Sequence, residues 1–247
     1  MSTTVTNSDS GTNVTEIADG IFRISTPVPP SALPGGFTFN QFLIVDDEPL
    51  LFHTGYRKMF PLVSQAVAHV LGDVAKLRYL AFSHVEGDES GALNDFLAMA
   101  PHSVPVCSNI GAMVQVNDLA DRAPRGMADG EELVLGTKRM KWLDAPHLPH
   151  NWECGYMFET TTRTLLCGDL FTHAGHEVPA ITESEVLSPS EAMRAQMGGV
   201  AIEAGGRKIL EKLARTEPTT LALMHGSAYR GNGAALLLGL ADALGLP

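Results

Sequence analysis

Short apolar runs alternate along this chain with longer stretches in which apolar residues recur every three or four positions. The runs at 21–24, 39–45, 50–53, 77–83, 104–107, 133–135, 140–143, 156–160, 164–167 and 219–224 predict strands. Helical spacing predicts helices over 59–71, closed by Gly72, over 91–100, from about residue 109, over 190–197, over 206–215 and over 233–244. The Pro/Gly-rich stretch 27–36 predicts a loop, Asp129-Gly130 a turn, and the Thr-rich stretch between 156–160 and 164–167 a hairpin. Strands and helices interleave throughout, which predicts a layered α/β protein with polar side chains gathered at strand ends. No linker divides the chain, so residues 16–247 are expected to form one domain. Residues 1–15 are rich in Ser, Thr and Asn, with neither a basic patch nor an apolar core, and predict a disordered leader rather than a signal peptide.

Composition narrows the function classes. With 247 residues and 45% hydrophobic positions, a sizeable core is affordable. The net charge of −11, from 17 basic and 28 acidic residues, argues against nucleic-acid binding, since no Lys/Arg cluster is present to neutralise phosphates. No run approaches the ~18 apolar residues that a membrane span needs. Cys107, Cys154 and Cys167 form no CxxC pair, which excludes a cysteine-based zinc or iron–sulfur site and points to reduced thiols and a cytoplasmic location.

Four segments share one style, an apolar strand ending on a metal-ligating residue type. They end at His84-Val85-Glu86-Gly87-Asp88-Glu89, at Asp144-Ala145-Pro146-His147, at Gly168-Asp169 and at His225-Gly226. In extended backbone, positions 84, 86 and 88 fall on one side. A histidine and two carboxylates sharing one space are costly to bury without a cation or water among them.

With these residues in place, the chain resembles the metallo-β-lactamase superfamily over roughly residues 15–245. The resemblance implies a four-layer αββα sandwich with a two-metal cleft at one edge. Zinc hydrolases of that superfamily carry H-x-H-x-D-H, a second His, a bridging Asp and a last His. This chain has Glu86 and Glu89 where those enzymes have histidine. H-x-E-x-D is the pattern of the diiron domain of flavodiiron proteins, which reduce O2 or NO. The reading with Phe52-His53-Thr54-Gly55 upstream and Gly168-Asp169-Leu170-Phe171-Thr172 downstream is most similar to stand-alone oxygen-binding diiron proteins. The resemblance implies His84, Glu86 and His147 at one iron, Asp88 and His225 at the other, and Asp169 between them. Mixed carboxylate and imidazole donors suit iron or manganese, and the negative charge Glu86 adds favours a redox-active metal over redox-inert zinc.

Three roles stay open for Glu89: a ligand, an absentee that leaves the second iron short, or a carboxylate turned outwards to a basic partner. His53 stands where many relatives have Asp, and reads either as a hydrogen-bond partner behind a ligand or as a structural histidine. Tyr229 reads as a hydroxyl reaching towards a bound oxygen species or as a packed tyrosine. His150, His173 and His176 match no motif position and read as loop residues, one of which could line the entrance. His69 and His102 read as exposed, and the ten methionines as core filler.

Function follows as an expectation: a nonheme diiron protein that binds O2 or NO, as a sensor or as an oxidoreductase. No phosphate-cradling Gly-rich loop follows a strand, so no flavin is expected in this chain. Turnover would then require an outside donor such as flavodoxin or rubredoxin, and the resemblance suggests a homodimer. The alternative is a binuclear zinc hydrolase with a metal-bound hydroxide as nucleophile and Asp88 orienting it.

Overall fold

A computed structural model describes residues 2–198, 200 and 205–246. Two sheets face each other. In the first, eight strands follow in sequence order: β1 (Thr3–Val5), β2 (Asn13–Ala18), β3 (Ile21–Val28), β4 (Phe37–Ile44), β5 (Leu50–Phe52), β6 (Tyr79–Ala81), β7 (Val104–Ser108) and β8 (Arg125–Met127). Strands β1 to β5 are antiparallel neighbours, and β5 to β8 run parallel. The second sheet holds β9 (Glu132–Val134), β10 (Arg139–Asp144), β11 (Gly155–Glu159), β12 (Thr164–Leu166), β13 (Ile181–Thr182), β14 (Thr220–Ala222) and β15 (Ala228–Arg230), in the spatial order 13-15-14-12-11-10-9.

Helices cover both outer faces. Helix α1 (Phe60–Leu71), the short α2 (Gly87–Ser90) and α3 (Leu93–Met99) connect strands of the first sheet. A mixed helical stretch follows β7, with α4 (Asn109–Gly111) and α5 (Asn117–Leu119) flanking a π-turn at Ala112–Val116. Helices α6 (Leu187–Met197), α7 (Gly206–Ala214) and α8 (Gly233–Ala243) accompany the second sheet. No helix among the described residues is long and apolar enough to cross a membrane.

The layering follows from strands that are apolar on both faces. Successive side chains on a strand point to opposite sides. Leu51 therefore packs under α1 while its neighbours Leu50 and Phe52 enter the space between the sheets. Leu165 and Leu221 pack under α7 and α8, and Leu166 and Ala222 turn inward to meet Phe42, Ile44 and Trp142. Each strand thus serves two cores, and the result is the expected helix–sheet–sheet–helix sandwich.

The amino terminus departs from expectation. Residues 3–5 and 13–18 are strands at the edge of the first sheet, not a disordered leader. Threonine-rich composition reads as disorder only while its hydroxyls lack partners. Here Thr3 meets Thr15 across the β1–β2 pair at 2.7 Å, buried Thr12 meets Thr26 at 3.0 Å, and Val14 enters the core under α1. β-branched residues suit such a half-buried pleat. The expected strand at 77–83 shortens to Tyr79–Ala81, because the chain leaves the sheet early to build the loop that carries His84.

Candidate metal centre

The cleft lies where the carboxyl ends of β6, β12 and β14 meet the loop after β10. Two backbone hydrogen bonds frame it and join the sheets, from Gly155 N–H to the Ser83 carbonyl (2.9 Å) and from Asn40 N–H to the Met224 carbonyl (2.9 Å).

His84 and Glu86 arrive on backbone leaving β6. Glu86 is extended (φ −139°, ψ 162°), but helix α2 begins at Gly87, so the extended alternation ends there. Asp88 and Glu89 consequently leave one helical turn in different directions. Asp88 enters the cleft, 3.4 Å from His225 Nε2. Glu89 turns back beneath β6.

On one side of the cleft, four side chains converge: His84, Glu86, His150 and Asp169. His84 Nε2 lies 2.9 Å from Glu86 Oε2 and 2.8 Å from His150 Nε2, and Glu86 Oε2 lies 2.9 Å from His150 Nε2. His147, the histidine that the spacing favoured, is exposed at the surface and outside this group. The reason lies in the loop. His147 adopts a left-handed backbone (φ 62°) and its N–H is spent on the Asn151 carbonyl at 2.8 Å. The Leu148 carbonyl, held by the Tyr156 hydroxyl (2.6 Å) and the Cys154 thiol (3.2 Å), anchors the next turn and presents His150 to the cleft. The cue in the sequence was a second histidine three residues on, across a proline. Turn geometry, which the motif alone does not carry, brings His150 rather than His147 into the converging group.

Asp169 joins the two halves of the cleft. Its Oδ2 lies 3.8 Å from both His84 Nε2 and His150 Nε2, and its Oδ1 lies 3.2 Å from His225 Nε2. That Oδ1 is buried without a hydrogen bond. His225 Nδ1 donates to the Thr38 carbonyl at 2.9 Å, so Nε2 carries the lone pair or a second proton as it faces Asp88 and Asp169. A neutral imidazole aimed at two carboxylates is repulsive, and the arrangement requires either a proton or a cation between them. In the cation-free protein the proton serves. Burial opposes charging His225, yet Asp169 and Asp88 outweigh it and hold its pKa up to about 10. The hydrogen bond from His84, with that from His150, outweighs burial and brings the Glu86 carboxyl down to about 2. Asp169 is likewise held well below the usual carboxylate range by His225, His84 and His150 against a large burial effect. Three carboxylates and three imidazoles converging with an orphaned buried oxygen fit a pair of divalent cations.

Other expected residues fall elsewhere. Tyr229 sits on β15 opposite Leu221, packs against the core under α7 and α8, and its hydroxyl lies over Gly231. His173 is a structural histidine: Nδ1 donates to the Phe171 carbonyl and Nε2 accepts from Ser227 N–H. His69 and His102 are exposed.

An aromatic wall went unread in the sequence. Phe37 stacks on His225 at 4.3 Å, Phe39 meets it edge-on at 5.3 Å, and Tyr56 packs on Phe39 at 5.2 Å. Burial, reinforced by Asp88, Glu86 and Asp169, raises the Tyr56 hydroxyl pKa, and this is the tyrosine that faces the carboxylates. Glu153 and Asn151 also went unread. Glu153 accepts from Val85 N–H at 3.1 Å, and the Asn151 amide donates to the Val85 carbonyl at 3.3 Å. Together they hold the His84 loop against the His150 loop.

Gly226 sets His225. Its backbone is left-handed (φ 91°), its carbonyl accepts from Arg23 and Asn40 at 2.9 Å each, and a Cβ there would lie 2.3 Å from the His173 ring. The backbone alone disfavours a side chain by about 1–2 kcal/mol. Gly226→Ala is therefore expected to lower Tm by more than about 5 °C, read by circular dichroism.

The geometry agrees with what comparison finds. A family model described as "ODP family beta lactamase" matches residues 37–226. The chain belongs to that family. Diflavin flavoprotein A 1 of Thermosynechococcus vestitus, a putative assignment by its own name, is 31% identical over 162 residues, which is 64% of this chain and 28% of that protein. Nitric oxide reductase of Moorella thermoacetica is 27% identical over 117 residues, 46% of this chain and 29% of that protein. The ODP-family chain thus spans less than a third of these relatives. Rubredoxin oxygen:oxidoreductase of Desulfovibrio gigas superposes with a TM-score of 0.78 at 20% identity, covering 94% of this chain and 60% of that one. The 1–254 fragment of putative diflavin flavoprotein A 5 from Nostoc sp. PCC 7120 superposes with a TM-score of 0.78 at 19% identity, covering 94% of both chains. The metallo-β-lactamase-like fold of flavodiiron cores is therefore the fold of this family member.

Proposed function

We propose that the protein is a nonheme diiron protein whose cleft binds a diatomic ligand, O2 before NO. His84, Glu86 and His150 would hold one iron, Asp88 and His225 the other, and Asp169 would reach both. The observation that carries this reading is Asp169, with one oxygen facing each histidine set inside a group containing two further carboxylates. Such mixed oxygen and nitrogen donors, three carboxylates among them, suit nonheme iron. Bound iron would supply one-electron chemistry towards the ligand. The chain itself shapes the approach. Glu86 is half exposed and His150 one-third exposed, so the cleft opens to solvent on that side, whereas Phe37, Phe39 and Tyr56 close the His225 side with apolar surface. A small apolar molecule suits that wall better than a charged ester or phosphodiester.

Oxygen sensing is the role we favour for this chain in a reducing cytoplasm. Reduction would draw electrons from a flavodoxin- or rubredoxin-like donor, a role supported by the similarity to a diflavin flavoprotein and to a rubredoxin oxygen:oxidoreductase. A homodimer is the assembly we expect.

The test is anaerobic purification, metal analysis, then admission of air. About two irons per chain and a new visible charge-transfer band are expected. Two zincs, no colour change and esterase activity would instead establish the hydrolase.

A further inference from the structure

Glu89 is fully buried and is not among the four side chains that converge in the cleft. Oε2 accepts from the Ser83 hydroxyl at 2.7 Å and from the His84 backbone N–H at 3.1 Å, and lies 2.9 Å from His84 Nδ1. Oε1 has no hydrogen bond and lies 3.5 Å from His53 Nε2. His53 is itself fully buried, left-handed (φ 66°), with Nδ1 against Met224 Sδ at 3.0 Å and Nε2 3.3 Å from Ser83 Oγ. The Glu89 carbonyl accepts from Thr54 N–H at 2.6 Å, so backbone as well as side chain is clamped.

We propose that Glu89 is a positioning residue rather than a metal donor. With His53 behind it, it locks the His84 ring with Nδ1 towards the core and Nε2 towards the cleft. This rests on the metal-centre reading above. The argument is one of sides. Glu89 touches the Nδ1 edge of an imidazole whose Nε2 edge meets Glu86 and His150, so the ring lies between Glu89 and the cleft. An imidazole that ligates through one nitrogen is oriented and made more basic by a carboxylate on the other. Two consequences follow. His84 is presented as a preformed donor. Among the described residues the cleft is also asymmetric, with His84, Glu86, His150 and Asp169 on one side and Asp88, Asp169 and His225 on the other. Metal should therefore bind in two unequal steps, the His84 side first.

The test is an anaerobic titration of metal-stripped protein with Co(II) against a competing chelator, following the visible bands. Co(II) is chosen so that the outcome does not depend on iron or O2 chemistry; failure of the O2 assay with an intact two-step titration would condemn the diiron function and leave this proposal standing. Wild type is expected to take two Co(II) with distinct affinities. Glu89→Gln, which keeps the shape, should weaken the tighter step by roughly 10–100-fold, the range for losing a partner behind a ligand, and leave the weaker step within threefold. Glu89→Ala should weaken the same step more, and His53→Gln less. An unchanged tight step in Glu89→Gln with native Tm would overturn the proposal, as would selective loss of the weaker step, which would make Glu89 a donor to the second metal.

Discussion

Replacing His150 by alanine is expected to strip the metal from the His84 side of the cleft, while His147→Ala leaves metal content unchanged. The two histidines are three residues apart; the family resemblance implies His147, whereas the structure gathers His150 with His84, Glu86 and Asp169. Among the described residues, His150 brings a nitrogen to within 3 Å of both His84 and Glu86. Its loss removes a donor outright, so the affinity should fall by more than the ~10–100-fold typical of removing a partner behind a ligand. His147 is exposed, and its backbone N–H donates to the Asn151 carbonyl. Metal analysis after anaerobic reconstitution reads both variants, and circular dichroism confirms the fold. Loss of metal in His147→Ala with retention in His150→Ala would refute the arrangement.

Asp169→Asn is expected to reduce bound metal from two per chain to one or none. The substitution preserves shape, so it isolates charge. Asp169 has an oxygen on each side of the cleft, and an amide nitrogen in place of either oxygen turns an acceptor into a donor facing an imidazole. In the metal-free protein the same change leaves His225 with Asp88 as its remaining carboxylate neighbour, so its raised pKa should fall. Two metals retained in Asp169→Asn at wild-type affinity would exclude a bridging role.

The sandwich was legible because strands such as Leu50 to Phe52 are apolar on both faces, a pattern that demands a layer on each side. His84, Glu86, Asp88, Asp169 and His225 could be singled out because each lies just beyond an apolar strand, and the structure brings them to one cleft. His150 could not be, because its placement depends on how the Leu148 carbonyl is gripped by Tyr156 and Cys154 across the hairpin. The role of Glu89 was hidden for a different reason. The motif suggested alternation, but the backbone turns helical at Gly87, and a helical turn sends neighbours 88 and 89 in different directions. Strands β1 and β2 were missed because composition cannot show which hydroxyls will find each other across a pair.

The cleft draws Glu86 and Asp88 from one sheet's loops and His150, Asp169 and His225 from the other's. Its occupant would act as a rivet through both halves of the sandwich. Whatever free energy binds cation there also resists separation of the sheets, about 2.7 kcal/mol when free metal exceeds Kd a hundredfold. Cellular metal supply would then set how long the polypeptide survives proteolysis, as well as what it does.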